Sequence, residues 1–432
     1  MIRQSYYFGA VICGAGGVFF ANYFMSQNLD VDEYGYFSLI ISVIGGISSI
    51  ILFGQATSLS VVIFSDEKAA HGNIKQEYIK SLSIIFISFL IVCLLSFILW
   101  KLLYYQNVSL TFLTLILTVS LAISLQLFFI SLVQCLDYYR IYFWASLIGG
   151  AVLIAFASQS FNSQEYFRGI FLASFLIAIL VIFSSSKLIF NKEKCNSEII
   201  FSYKDLVLLG YVAIPGMLIT AANGFFDKYL LSKFMTLEVV GIYSLGFMVS
   251  VGIGRLLVSG ILRANSIHFM RHLQQNEIIK AQKILFNSEL ILCFFSAIAA
   301  VLFYTIGEFL VLIVFGSKYS ESYSIMLPLF LAVMIEGMVF FLGQALIQKK
   351  KLFLLVLNNL GILLFMIFGN YILIPIIFIE APIIIMFIAQ ILTIFIVYHQ
   401  VKKIADWVNF PWYILSTTII IFSFNQFFWM PL

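Results

Sequence analysis

The chain has 432 residues, of which 62% are hydrophobic and only 10% are charged, and its mean hydropathy is +1.06. An ordinary soluble domain carries about 25% charged residues, so this composition excludes a soluble protein and predicts one that lies in a lipid bilayer. The apolar residues form solid blocks and do not alternate with polar ones, which favours spanning helices over a barrel.

About a dozen apolar runs are long enough to cross the bilayer, since a spanning helix needs about 20 such residues. The predicted spans are Gln4 to Gln27, Tyr36 to Phe64, Tyr78 to Leu103, Val108 to Gln134, Ile141 to Gln159, Tyr166 to Phe190, Leu206 to Leu231, Val239 to Ser266, Gln282 to Ile306, Ser322 to Ile347, Leu352 to Leu373 and Pro382 to Gln400. A last run, Trp412 to Trp429, is a candidate thirteenth span. We therefore predict an all-α polytopic membrane protein.

Lysine and arginine collect in the cytoplasmic loops of membrane proteins, and this chain places most of them on one side. With the amino terminus inside, the inner loops receive 18 of the 24 residues and Arg255 falls within a span. The outer loops receive only Lys101, Arg168, Lys228, Lys233 and Lys318. This bias predicts a cytoplasmic amino terminus. The net charge of +4 follows from the topology, so no nucleic-acid partner is needed.

The first outer joint, "NLDVDEYGYFSL" from Asn28 to Leu39, is one of the few acidic stretches. Asp30, Asp32 and Glu33 could hold a metal ion for a membrane glycosyltransferase. Alternatively, Asp30 could be the N-cap of a helix with Glu33 three residues later, where negative charge is favoured. Because such enzymes usually carry sizeable outer loops and this joint is short, we favour the cap and predict no metal. Asp32 could still contact a passing substrate.

The amino-terminal half contains isolated amides but no carboxylate near the middle of a span. The amides could line a path for a sugar or form hydrogen bonds between helices; they are Asn22, Gln55, Gln126 and Gln134.

The longest basic joint, Ser184 to Asp205, is predicted to connect two halves. The expected organisation is a six-helix lobe at 1–190, a cytoplasmic linker at 191–205, a second six-helix lobe at 206–403 and an additional hydrophobic segment at 404–432.

Charged residues inside the carboxyl-terminal spans are candidates for binding or coupling. Arg255 lies near the midpoint of the predicted eighth span, where an unpaired charge costs about 2.5 to 3.5 kcal/mol. Its guanidinium could bind a phosphate through paired hydrogen bonds, or it could pair with Glu336 of the tenth span. Both roles together would couple binding to movement. Asp227 with Lys228 at the outer end of the seventh span, and Glu289 in the ninth, are structural or coupling candidates.

Cysteine and histidine give no sign of a metal site. The five cysteines are scattered without a CxxC spacing, so we predict no disulfide and no structural metal, and nothing indicates a cofactor. His268 and His272 lie among basic residues of an amphipathic cytoplasmic stretch, which favours a solvated helix over a ligand pair.

The two halves resemble each other. The segment "GYFSLIISVIGG" from Gly35 matches "GIYSLGFMVSVG" from Gly241, with Ser38 over Ser244. The segment "LVQCLDYYR" similarly matches "LGQALIQKK". Two six-helix halves that keep one orientation and enclose a cavity are a recurring transporter plan, in which one half rocks against the other.

Three segments also resemble a known family. They are "VDEYGYFSLIISVIGGISSIILFG", "DKYLLSKFMTLEVVGIYSLGFMV" and "FGSKYSESYSIMLPL". In this order they are similar to the flippases for lipid-linked O-antigen units, in the superfamily that includes multidrug and toxin extrusion (MATE) transporters. The resemblance covers about Met1 to Lys403. It implies two six-helix lobes around a central cavity and transport of an undecaprenyl-diphosphate-linked oligosaccharide across the bacterial inner membrane.

Three functions therefore compete at this point. A lipid-linked oligosaccharide flippase comes first, with polysaccharide polymerase and other assembly proteins as implied partners. A cation-coupled multidrug antiporter of the MATE branch comes second. It would require a carboxylate in the amino-terminal half to carry protons, and the first six spans have none near their middles. An enzyme, either a glycosyltransferase or a polymerase, comes third and is disfavoured by the short outer loops. A monomer is the default state for two fused halves.

Overall fold

The computed structural model describes residues 2–56, 58, 74–101, 109–135, 138–160, 162–189, 202–275, 277–348, 351–403 and 408–429. Every regular element in these ranges is helical, which confirms the all-α prediction. The α-helices are α1 Ile2–Asn28, α2 Val31–Leu52, α3 Ile74–Leu99, α4 Leu110–Cys135, α5 Tyr139–Gln159, α6 Ser163–Ile189, α7 Tyr203–Phe234, α8 Leu237–Gln274, α9 Ile278–Leu302, α10 Glu308–Phe315, α11 Ser322–Gln348, α12 Leu352–Ile377, α13 Glu380–Lys402 and α14 Trp412–Trp429.

The helices have the length and composition of membrane spans. In the described part of the chain, 11 stretches are long and apolar enough to cross a bilayer. A helix satisfies its own backbone hydrogen bonds, which is why apolar runs of this length adopt that form in lipid. The protein is therefore a multi-pass membrane protein.

Two predicted boundaries differ from the structure for a local reason. The second span was predicted to reach Phe64, and α2 ends at Leu52, where Phe53 and Gly54 have positive φ values of 48° and 64°; the predicted end at Phe64 itself lies outside the described residues. The predicted ninth span continues through a π-helical turn, Phe303–Gly307, into α10, which ends at Gly316 with φ of 84°. A left-handed residue ends an α-helix, and glycine adopts that conformation without steric cost.

The chain forms two compact units. The first contains residues 1–28 and 40–222, and the second contains residues 29–39 and 223–432. Most of the predicted linker at 191–205 lies outside the described residues, because the structure does not describe 191–201. The lobe boundaries inferred from the sequence therefore stay a prediction.

In the first unit, small residues let helices approach closely. A Cβ added to Gly17 of α1 would lie 2.3 Å from the Cα of Gly150 on α5. Hydroxyls connect α4 to α2, since Ser124 Oγ donates to the carbonyl of Ser48 at 2.9 Å. Small residues and interhelical hydrogen bonds are the usual means of helix association where the hydrophobic effect gives no drive.

In the second unit, α11 is the central helix. It packs against α8, α13, α14 and α9, and most of its residues are buried. The carboxyl-terminal helix α14 packs on α9 and α11, so the additional hydrophobic segment is part of this unit.

The matched segments of the sequence repeat contact each other in the second unit. A Cβ on Gly35 would lie 2.2 Å from the carbonyl oxygen of Leu237, and a Cβ on Gly241 would lie 2.2 Å from that of Val31. Each glycine thus packs on the residue four positions before the other. Ser38 Oγ and Ser244 Oγ are 2.6 Å apart. The start of α2 and the start of α8 therefore cross in a nearly symmetric contact.

Candidate functional site

Arg255 on α8 and Glu336 on α11 form an ion pair. The Nη2 atom of Arg255 lies 3.6 Å from Oε1 of Glu336. The pair that the sequence suggested is present, but it is not buried, because the side chains are 51% and 37% exposed. Both groups remain available to a ligand, although the binding role assigned to them stays a prediction.

The accessible face of α11 is narrow and contains this carboxylate. Although α11 is otherwise largely buried, Glu336, Phe340 and Gln344 are at least partly exposed, and they are spaced four residues apart. Residues four apart lie on one helix face. One turn before Arg255, Gly252 has no atom within 4 Å of its added Cβ position. The surface of α8 is therefore uncovered one turn before Arg255.

Arg255 lies near the middle of its own helix. The helix α8 runs from Leu237 to Gln274 over 38 residues, and Arg255 is about 27 Å along it from Leu237. The depth of this charge in the bilayer stays a prediction.

Asp227 and Lys228 are buried at the end of α7, being 2% and 8% exposed. The carboxylate of Asp227 accepts hydrogen bonds from Tyr243 Oη at 3.2 Å and from Asn370 Nδ2 at 2.7 Å. The Nζ of Lys228 donates to the carbonyl of Ser38 at 3.5 Å. The two charges thus connect α7 to α2, α8 and α12. Sequence analysis did not identify Asn370, because the apolar residues around it gave no sign that it contacts Asp227.

Glu289 connects α9 to the start of α14. Its Oε1 accepts the backbone N–H groups of Tyr413 at 2.8 Å and Ile414 at 3.2 Å. These amides belong to the first turn of α14, where they have no partner within their own helix. Glu289 therefore caps a helix 124 residues away in sequence, a contact that no local pattern could have indicated.

The amides of the first half are in different environments. Asn22 donates to the carbonyl of Val18 in its own helix at 2.8 Å. Gln55 is fully buried and donates to the carbonyl of Leu206 at 3.4 Å, so it joins elements of the first unit and does not face an open path. Gln126 is half-buried on α4, whereas the side chain of Gln134 lies outside the described residues.

The acidic joint lies at the start of α2, and the capping role of the Asp30 side chain stays a prediction. Asp30 precedes the first residue of the helix, Glu33 lies in the first turn, and the carbonyl of Asp30 accepts the N–H of Tyr34 at 2.9 Å. Lys318 donates to the carbonyl of Leu29 at 2.8 Å. Burial lowers the pKa of Lys318, and the nearby Asp30 opposes that change. Among the described residues, no three histidine, cysteine or acidic side chains cluster as metal ligands would.

His272 and His268 have different surroundings. The Nδ1 of His272 contacts Glu277 at 2.5 Å, and Lys280 donates to the same carboxylate at 2.8 Å. These hydrogen bonds, with that of Lys280 the larger influence, lower the pKa of Glu277 from its ordinary value. The trio joins the end of α8 to the start of α9, while His268 is exposed.

No family model and no curated protein matches this sequence. Solved structures with the same fold are found. An inward-facing multidrug-resistance MATE-family transporter of the MOP superfamily has a TM-score of 0.62 and 13% identity, covering 90% of this chain and 94% of that one. A variant of a MATE transporter from Vibrio cholerae has a TM-score of 0.61 and 15% identity, covering 95% and 97%. A MOP superfamily transporter from Pyrococcus furiosus has a TM-score of 0.60 and 12% identity, covering 93% and 95%. The chain therefore has the MATE fold.

Proposed function

We propose that this protein is a flippase that moves an undecaprenyl-diphosphate-linked oligosaccharide, such as an O-antigen repeat unit, between the leaflets of the bacterial inner membrane. The MATE fold supports transport, because the similar structures are transporters by name. One observation supports the substrate class. The guanidinium of Arg255 on α8 is half exposed beside Glu336, and Glu336 lies on the accessible face of α11, which is otherwise largely buried.

The chemistry of this pair suits an acidic lipid headgroup. A guanidinium can form two parallel hydrogen bonds to phosphate oxygens, and Glu336 holds it in place at 3.6 Å when no substrate is bound. A diphosphate would compete with the carboxylate for the same donors. Its arrival would release Glu336, and a change of partner between α8 and α11 would favour a different conformation.

Substitution of Arg255 tests this proposal. We expect Arg255→Ala to reduce export of the lipid-linked sugar by roughly tenfold or more, because a hydrogen bond to a charged group contributes about 1.5 to 3 kcal/mol. Arg255→Lys should be intermediate, since it keeps the charge but loses the paired geometry. Arg168→Ala, at an exposed position near the start of α6, is the matched control. Normal export by Arg255→Ala at normal protein level would refute the phosphate role.

A cation-coupled multidrug antiporter is the second candidate, favoured by the names of the similar structures. The buried carboxylate of Asp227 gives this function a candidate group for ion coupling. Cells that make the protein should then accumulate less of a cationic dye, and Arg255→Ala should leave sugar export unchanged. The enzyme alternative has less support, because the similar structures are transporters by name.

The setting is part of the same proposal. We place the amino terminus in the cytoplasm and treat the chain as a monomer. A polysaccharide polymerase and other assembly proteins would be the natural partners, because the flipped unit must be joined to others in the outer leaflet.

A further inference from the structure

A basic pocket lies in the second unit between the start of α12 and the end of α13. Its volume is about 560 Å³. Three cationic or titratable basic side chains line it, Lys351, His399 and Lys403, and no acidic residue does. None of the three forms an ion pair with a carboxylate in the described part of the chain. Neither Arg255 nor Glu336 lines the pocket, and the proposed flippase function does not use it.

The other walls of the pocket are mainly apolar. Leu354, Phe395 and Ile396 line it, and the last two are 43% and 40% exposed. Both belong to α13, which has the composition of a membrane span. Apolar side chains that remain accessible at the end of a span offer a surface for acyl chains next to the basic groups.

On one side of the pocket, two amide side chains bind each other. Gln400 and Asn358 exchange two hydrogen bonds, with Asn358 Nδ2 donating at 2.8 Å and Gln400 Nε2 donating at 2.9 Å. This pair joins α13 to α12 beside the basic groups. Two hydrogen bonds therefore link the two helices that form the pocket.

The helix dipole explains the positions of only two of the three basic residues. His399 and Lys403 lie at the carboxyl end of α13, where cations are favoured. Lys351 lies at the amino end of α12, where a cation is disfavoured, and no side chain caps that end. An anion placed there would be attracted both by Lys351 and by the positive end of the α12 dipole.

We propose that this pocket binds the phosphate headgroup of an anionic membrane phospholipid, with its acyl chains against Phe395 and Ile396. Basic pockets between spanning helices on the cytoplasmic side suit such headgroups. By the distribution of lysine and arginine, this end of α12 and α13 faces the cytoplasm, so the lipid belongs to the inner leaflet.

Native mass spectrometry of the purified full chain in detergent tests the proposal. Wild-type protein should retain phosphatidylglycerol in preference to phosphatidylethanolamine. The double variant Lys351→Gln, Lys403→Gln should bind it roughly tenfold or more weakly, because each basic group near an anionic lipid contributes about fivefold. The double variant Lys204→Gln, Lys283→Gln is the control. It removes the same charge from two exposed lysines outside the pocket.

Two further measurements keep the result decisive. If Lys351→Gln, Lys403→Gln fails to fold, Lys403→Gln alone should still weaken binding about fivefold. Equal phosphatidylglycerol binding by wild type and the pocket variant would overturn the proposal, as would equal binding of the two lipids. Competition by inorganic phosphate alone, with no dependence on acyl chains, would replace the lipid by a soluble anion and also overturn it.

Discussion

Single residues determine much of the helix packing because the helices lie so close together. Gly35 and Gly241 are a pair that the sequence repeat singled out, and the structure places each against a backbone carbonyl of the other segment. The sequence showed that the two positions correspond. It could not show that they touch, since correspondence between halves does not fix where the halves meet.

Adding a methyl group at this crossing should be costly. We expect Gly35→Ala and Gly241→Ala each to destabilise the protein by about 1 to 3 kcal/mol, the usual cost of overpacking. The added Cβ would meet backbone at 2.2 Å, so no side chain could move aside. Thermal unfolding in detergent measures the effect.

Gly45→Ala is the matched control on the same helix, because its Cβ position has no atom within 4 Å. Alanine is also the better helix former. Equal stability of Gly35→Ala and Gly45→Ala would mean that the close contact is absent.

The carboxylate of Glu277 gives a prediction about pH. Hydrogen bonds from Lys280 and His272 lower its pKa below the ordinary value of 4.5. A group whose pKa is lower in the folded state stabilises that state above the unfolded pKa, and the contribution disappears as the pH falls through the folded pKa. Protection of the first turns of α9 should therefore decrease below about pH 4.5.

Hydrogen–deuterium exchange, corrected for intrinsic rates, measures this change. Glu277→Gln should remove the acid dependence at the start of α9, whereas Glu321→Gln, an exposed residue near α11, should not. An unchanged acid dependence in Glu277→Gln would exclude this carboxylate as its source.

At the scale of elements, the sequence predicted the helices well and their contacts poorly. The predicted segment Trp412 to Trp429 coincides with α14, because a continuous apolar run determines a helix in lipid. The residues that α14 contacts were not predictable from the sequence. Glu289 of α9 caps its first turn, and the rings of Phe387 and Phe422 stack with centroids 4.0 Å apart.

Removing the cap should loosen α14. We expect Glu289→Ala to cost about 1 to 3 kcal/mol, because two amide groups lose their acceptor. Exchange of the amides in the first turn of α14 should increase. Glu289→Gln should have a smaller effect, since it keeps one acceptor oxygen, and Glu321→Gln should have none. If exchange at Tyr413 and Ile414 is the same in Glu289→Ala as in wild type, the cap does not hold α14.

At the scale of the whole molecule, the charge distribution gives a prediction of topology. The distribution of lysine and arginine predicts a cytoplasmic amino terminus. The similar structures support the MATE fold, whereas orientation in the membrane stays a prediction.

Labelling of single cysteines tests the orientation. In a variant whose five native cysteines are replaced, Lys101→Cys and Glu238→Cys should react with a membrane-impermeant maleimide added outside intact cells. Lys204→Cys and Lys280→Cys should react only after the membrane is opened. All four positions are exposed, so a difference reports the side of the membrane. The reverse pattern would invert the topology.

The sequence by itself determined the helical class, the order of the spans and their predicted sides, because hydropathy and charge act through the surrounding lipid and water and need no tertiary contact. Only the tertiary structure decided most of the partners. It placed the Arg255–Glu336 pair, which the sequence suggested, at an accessible face. It also connected Asp227 to Tyr243 and Asn370, buried Gln55, and used Glu289 to cap α14. A polar side chain in an apolar helix must find a partner or a ligand, but which one it finds depends on the helix that packs beside it.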